Sequence, residues 1–288
     1  MKPGSFEYVK ATTIEAALDA LMRFDGEARL IAGGQSLMPL MNMRMLRPAG
    51  LIDVNGIDGL AGIRIEAGAV HIGALTRYVD IERSDIVARH LPLVSHGIRK
   101  VADRQVRNRG TLGGSLCHAD PAAQMPLCAL TMDARMRLVG PDGPREVPAR
   151  SFFLGAYATA ADPLEMLVEI IYPDAEGSVG TIAQQIRRHG DFPSVSVAAS
   201  ARPAGDGRWV DWRIGACGLD DHAIRLDDVA AALEGMRPDP ALIGRAARLL
   251  GDDLDPPEDV RASAEYRRHL APIYVERAVN AVVEEARA

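Results

Sequence analysis

The chain is poor in cysteine, and the few it has exclude more than they supply. Cys117, Cys128 and Cys217 are odd in number and form no C-x-x-C pair, which suits reduced thiols rather than a disulfide framework. A [2Fe–2S] cluster takes four cysteine ligands, so three cannot build one in the usual way. If the chain exchanges single electrons with iron–sulfur centres, those centres sit on another polypeptide. No uninterrupted apolar run reaches the roughly 18 residues needed to cross a bilayer, and the opening Met1-Lys2-Pro3-Gly4-Ser5 lacks the apolar stretch of a secretory signal. The expectation is a cytoplasmic protein with no membrane insertion. A basic surplus is also missing: the formal net charge is -6, so neither nucleic acid nor an anionic membrane surface is an expected partner. The sequence carries no G-x-G-x-x-G, no P-loop ending in Gly-Lys-Ser/Thr, no Ser/His/Asp order and no nucleophile elbow. His71, His90, His96, His189, His222 and His269 are scattered without metal-ligand spacing, and no metal is expected.

What is there is an ordinary globular composition, 48% hydrophobic and 25% charged over 288 residues, long enough for two domains and a small third. Phe6 to Val9 reads as a strand, and Thr12 with Glu15 makes a capping-box pattern opening a helix through Phe24. Arg29 to Ile31 and Leu51 to Val54 read as short strands, with a helix from Leu37 between them whose opening turn tolerates Pro39. From Leu60 the pattern changes: Ile63 to Glu66 and Val70 to Ile72 flank Ala67-Gly68-Ala69 as a hairpin. Helices are expected from Thr76 to Arg83, Leu91 to Val101 and Pro126 to Ala134, and strands over 135–139 and 165–170. A boundary falls at Pro173-Asp174-Ala175-Glu176-Gly177. Beyond it, 182–186, 194–201 and 209–216 read as three antiparallel strands, followed by helices over 226–233, 240–250 and 263–288. The fold class is α+β, in three units: 1–57, 58–176 and 177–288.

Two double-glycine segments stand out, Ala32-Gly33-Gly34-Gln35-Ser36 and Thr111-Leu112-Gly113-Gly114-Ser115. Glycine accepts positive φ and has no Cβ to hold a ligand away, so such turns can aim consecutive N–H groups at one anion. A single Gly-Gly pair is usually only a tight turn; here both carry a hydroxyl residue, Ser36 and Ser115, that can cap a helix or donate to a phosphate oxygen. A helix dipole contributes about 0.3–1 kcal/mol per charge near an exposed N-terminus, too little to hold a dinucleotide. Several N–H groups from both turns would have to act together on a diphosphate.

Ile31-Ala32-Gly33-Gly34-Gln35-Ser36-Leu37-Met38-Pro39 and the stretch from Val106 through Thr111-Leu112-Gly113-Gly114-Ser115 to Asp120-Pro121 resemble the two FAD-pyrophosphate loops of the medium subunits of molybdenum hydroxylases. That family includes the flavoprotein subunit of aerobic carbon monoxide dehydrogenase and those of bacterial dehydrogenases of N-heterocycles. The similarity runs from Phe6 to about Ala288. It implies a two-part FAD-binding domain of the PCMH (vanillyl-alcohol-oxidase-like) type followed by a C-terminal domain with a three-stranded antiparallel sheet and helices. It also implies non-covalent FAD, with molybdopterin on a large partner subunit, [2Fe–2S] clusters on a small one, and assembly as a dimer of heterotrimers. Cofactor contacts are then expected at Ile31, Ala32, Gly33, Gly34, Gln35, Ser36, Leu37, Thr111, Leu112, Gly113, Gly114 and Ser115. Asp120 is either a ribose or flavin acceptor or a cap of the turn before Pro121. Leu167 resembles the aliphatic position beside the flavin ring, and Phe192 the aromatic one.

Departures from the family pattern are specific. Ser115 stands where asparagine is common, Phe192 where tyrosine is frequent, and Gln184 and Gln185 near where a lysine tends to lie. His118 raises covalent flavin attachment as an idea, but the resembling subunits hold FAD without a bond. The resemblance implies an oxidoreductase subunit that takes electrons from a partner's clusters and passes them to an external acceptor. The alternative is a stand-alone FAD-dependent oxidoreductase of the same superfamily, for which the sequence offers no acid–base cluster.

Overall fold

The computed structural model describes residues 2–251 and 254–285; the last three positions of the expected final helix, and Met1, lie outside them. The chain opens with β1 (Glu7–Lys10), α1 (Ile14–Arg23), β2 (Ala28–Ile31), α2 (Leu37–Asn42) and β3 (Gly50–Asp53). Its three strands form a parallel sheet in the order β1-β3-β2. Helix α1 lays Ala17, Leu18, Ala20 and Leu21 on that sheet, the face expected from their helical spacing. Its cap is Thr13, not Thr12: Thr13 is extended and its hydroxyl accepts from Ala16 N at 3.1 Å. Glu15 is therefore one residue out of register for a capping box.

The middle of the chain runs β4 (Ile63–Glu66), β5 (Ala69–Gly73), α3 (Tyr78–Glu82), α4 (Asp85–His90), α5 (Pro92–Ile98), α6 (Arg104–Arg109), α7 (Leu112–His118) and α8 (Gln124–Thr131). It continues with β6 (Arg135–Gly140), β7 (Gly143–Pro148), α9 (Ala149–Phe152), β8 (Phe153–Gly155), β9 (Ala158–Thr159) and β10 (Met166–Pro173). Strands β4-β5-β10-β6-β7 make an antiparallel sheet in that order. Ala67 and Gly68 both have positive φ, 49° and 73°, the two-residue hairpin turn whose twist matches its strands. In β10 the register against β6 shifts between Leu167 and Glu169, a bulge that gives Val168 no partner there. Met166 and Val168 join the N-terminal core, while Leu167 and Ile170 join the middle one. One strand thus welds two layers together.

The last part comprises β11 (Val179–Gln185), β12 (Val195–Pro203), β13 (Trp209–Cys217), β14 (Ile224–Arg225), α10 (Asp227–Leu233), α11 (Pro240–Ala247) and α12 (Ala264–Glu285). The expected three-stranded antiparallel sheet gains a fourth, two-residue strand, β14 beside β13. Both faces of β12 are covered. Val195, Val197 and Ala199 pack with α12 residues such as Val275 and Val279, and Ala198 packs with the middle core. No helix among the described residues is long and apolar enough to cross a membrane.

Candidate functional site: a cavity between two glycine loops

The first glycine loop leaves the end of β2 and enters α2; the second lies between α6 and α8. The two are in contact. A Cβ on Gly33 would lie 2.9 Å from both the carbonyl carbon of Arg109 and the Cα of Gly110, and closer still to the Arg109 carbonyl oxygen. Only a residue without a side chain lets the loops meet this closely. Gly34 has φ +71°, the left-handed conformation that glycine adopts without strain. The loops wall a cavity of about 760 Å³, within the range of cofactor sites. Leu21, Leu30, Leu46 and Leu60 supply one apolar wall, Met125 and Leu167 another, and Gly190, Asp191 and Phe192 reach in from the segment after β11.

All of the sequence-predicted contacts line this cavity except Ile31 and Leu112. Ile31 lines a smaller hollow of about 350 Å³ on the other flank of the first loop, with Tyr8, Asp53, Asn55 and Arg109. Leu112 is fully buried in the middle core; as the first residue of α7 it turns inward. Phe192 is nearly half exposed, 48%, with the Arg261 guanidinium 5.9 Å from its ring centroid.

The two loops differ in what they offer an anion. Among the described residues, the backbone N–H groups of Gly33, Gly34, Gln35, Ser36 and Leu37 have no protein acceptor. In the second segment four of the five N–H groups, those of Leu112 to Ser115, are already used. Leu112 donates to Thr76 O at 3.1 Å, Gly113 to Ala74 O at 2.9 Å, and Ser115 to Thr111 O at 3.2 Å. Gly114 donates to the Thr111 hydroxyl at 3.2 Å. The expectation of two equivalent N–H turns is corrected accordingly. The second Gly-Gly pair is the first turn of α7, capped by Thr111, so it offers hydroxyls rather than a run of spare donors, and Gly113 is where the helix packs on Ala74. The Arg107-Asn108-Arg109 stretch before it belongs to α6, which Asp103 caps through Val106 N at 2.9 Å.

Asp120 is buried and takes the turn-capping role, one of the two left open for it. One carboxylate oxygen accepts from Ala122 N at 2.8 Å, an Asx turn, while the other accepts from the Tyr157 hydroxyl at 3.2 Å beside the cavity. Tyr157 escaped the sequence reading because only a left-handed backbone, φ +59°, aims it there. Its ring stacks at 5.1 Å from His118. Burial lowers the pKa of His118 against the opposing pull of Asp120, so its imidazole is neutral at pH 7. Burial pushes the Tyr78 phenol up to about 12, with the Ser115 hydroxyl acting the other way. Gln184 accepts from the side chain of cavity-lining Gln124 at 3.2 Å. The cavity is thus apolar on two walls, hydroxyl-rich on a third, and supplied with unpaired N–H donors along the first loop.

Tertiary contact does bring His90 to Asp174 and Glu176, and sequence neighbours Asp220, Asp221 and His222 also converge. Neither group lines the cavity. His90 Nδ1 and Asp174 are in hydrogen-bond contact at 3.0 Å.

The segment beside Phe192 is held by Asp259. Burial raises the pKa of its carboxyl, but the N–H and guanidinium of Arg261, the charge of Arg267 and the N–H of Ala262 outweigh that and bring it to about 2. A depressed carboxyl contributes stability above its unfolded value of 3.8, and that contribution disappears as pH falls through about 2. Asp259→Asn should therefore flatten the acid side of a plot of melting temperature against pH between those limits. A variant profile parallel to that of the wild type would show that Asp259 carries no such load.

Comparison with known proteins places this geometry. The family described as the FAD binding domain in molybdopterin dehydrogenase matches residues 4–175, and that described as the CO dehydrogenase flavoprotein C-terminal domain matches 181–282. The 6-hydroxypseudooxynicotine dehydrogenase complex subunit alpha of Paenarthrobacter nicotinovorans is 36% identical over all of this chain and 97% of its own length. A solved chain of carbon monoxide dehydrogenase from Hydrogenophaga pseudoflava superposes with a TM-score of 0.94 at 37% identity, covering 98% of each. One of quinoline 2-oxidoreductase from Pseudomonas putida 86 does so with 0.94 at 32%, covering 99% of each.

Proposed function

Because the chain belongs to the family of FAD-binding flavoprotein subunits of the molybdopterin dehydrogenases, we propose that the cavity between its glycine loops is its FAD site. On this reading the chain is the electron-transfer component of a three-part molybdenum hydroxylase. The observation that carries it is the run of unpartnered N–H groups from Gly33 to Leu37 on the wall of a cavity of matching size. A diphosphate supplies the acceptors those donors lack. Thr111, Gly114 and Ser115 present the opposite wall, while the missing Cβ of Gly113 lets α7 pack against Ala74. Leu167 and Met125 exclude water from the ring, and Phe192 covers it. Asp120, oriented by Tyr157, accepts from a ribityl, ribose or flavin donor.

When bound, the flavin supplies exchange between one-electron and two-electron carriers; the protein's part is position and potential. The proposed partners are a molybdopterin-bearing large subunit and a [2Fe–2S]-bearing small subunit, in a dimer of heterotrimers located in the cytoplasm. Electrons would enter from the partner's clusters and leave to an external acceptor. The proposed units are 1–57 and 58–176, which form the FAD-binding domain, and 177–288.

The test is a visible spectrum of the natively expressed, co-purified assembly. Flavin and iron–sulfur absorbance together, with molybdenum in metal analysis, are expected. A yellow monomer that turns over substrate alone would favour the stand-alone oxidoreductase, and a colourless chain that takes up no added FAD would sink both readings.

A further inference from the structure

A polar strut ties the two loops together from behind, and the sequence reading passed over Arg77 and Asn55, which build it. Arg77 stands between β5 and α3, half-buried. One of its guanidinium nitrogens donates to the carbonyl of Arg109 and the other to Oδ1 of Asn55, the latter at 2.5 Å. Asn55 in turn donates from Nδ2 to the carbonyl of Ala32 at 3.0 Å and to Oδ1 of Asp53 at 2.6 Å. The second oxygen of Asp53 accepts from the Tyr8 hydroxyl at 2.6 Å. The chain of bonds therefore runs from the residue that opens the first loop to the residue that closes α6 before the second. The Arg109 carbonyl is held between Arg77 on one side and the Cα of Gly33 on the other. Among the described residues, neither Arg77 nor Arg109 forms a salt bridge, so the guanidinium of Arg77 is engaged by neutral oxygens. Arg77 does not line the cavity itself.

We propose that Arg77, acting with Asn55, is a positioning residue for the dinucleotide: it clamps the two loops at the separation that a diphosphate spans. The inference rests on the reading of the cavity as the FAD site. Two directed bonds from one planar fork fix both distance and angle, which a single ammonium does not do. The donors of the first loop and the hydroxyls of the second then face one ligand without reorganisation on binding, which is where affinity is gained. Loosening the strut leaves each loop intact but lets them drift apart.

The experiment uses the full chain as wild type, R77K, R77Q, N55A and the R77K/N55A pair. FAD and ADP dissociation constants are measured by fluorescence titration and competition, and apo-protein melting temperatures in parallel. R77K keeps the charge and the aliphatic stem but loses the fork. It should weaken FAD and ADP alike by about tenfold or more, while the apo melting temperature moves by only a few degrees. N55A should do the same, and the double variant should be no weaker than the worse single one, because both break one strut. R77K binding FAD within about twofold of wild type overturns the clamp, as does simple additivity in the pair. So does a loss of FAD affinity that ADP does not share. R77K carries the test if R77Q fails to fold. A wild-type chain that binds neither FAD nor ADP overturns the reading of the cavity and the clamp with it, which separates that failure from failure of the clamp alone.

Discussion

Gly33→Val should lower FAD affinity by about 100-fold, on the order of 2–3 kcal/mol, while most of the fold stays in place. The cause is steric and local. A Cβ at this position would lie 2.9 Å from Arg109 C and from Gly110 Cα, inside any real carbon contact, and what it meets is backbone rather than the end of a movable side chain. The loops must part, and the first loop's N–H groups then no longer face the second wall. Valine adds two methyl groups to the same conflict and has few rotamers with which to escape it. The joint borders the cores through Tyr78 and Ala32, but the substitution removes no core side chain, so the melting temperature should fall less than the affinity. Gly4→Ala, where a Cβ meets nothing within 4 Å, is the matched control and should leave binding unchanged. Tight FAD binding by the valine variant would mean that the loops need not touch, and the site as described would be wrong.

Arg267→Ala should be the most destabilising single change at the mouth of the cavity, costing about 3–5 kcal/mol and on the order of 10 °C in melting temperature. Arg267 is 1% exposed although it sits in the first turns of α12. One guanidinium nitrogen donates to the carbonyl of Ser194 and the other to Oδ1 of Asp259 at 2.8 Å, while its Nε has no partner. Removal leaves a void, a buried carbonyl without its donor, and a carboxylate stripped of its nearest buried cation. Ser194 follows Phe192 by two residues, so the loss is also expected to loosen the Gly190 to Phe192 wall and weaken flavin retention. Arg268, half exposed and 3.9 Å from Asp255, is the internal comparison; its removal should cost less than about 1 kcal/mol. Equal melting temperatures for the two alanine variants would refute the role given to Arg267.

Much of the scaffold was legible because local chemistry settled it. The apolar spacing from Ile14 to Leu21 could face only one sheet, although Met22, placed on the same face, stays exposed; Ala67-Gly68 fitted only a tight hairpin. The alternation from Val195 to Ala201 also read as a strand. Errors gathered where tertiary contact overrides local preference. The helix expected from Thr76 begins only at Tyr78, and the Thr76 hydroxyl is bonded to the backbone of Gly62, 14 residues earlier, at 3.0 and 3.1 Å. The polar Arg107 to Arg109 stretch became helical because Asp103 caps it and Glu82 pairs with Arg107 at 3.1 Å.

By itself the sequence determined the chemical inventory: two glycine pairs with adjacent hydroxyls, too few cysteines for a cluster, and an apolar chain long enough for several cores. These depend on residue identity and spacing, which need no partner to be read. The structure alone decided the division of labour between the loops, since whether an N–H is free depends on which carbonyl lies opposite. Thr76 and Ala74 engage the Leu112 and Gly113 donors from a strand's end roughly 40 residues away in sequence, and Arg77 and Asn55 acquire their place only when β3 and β5 come to lie beside α6.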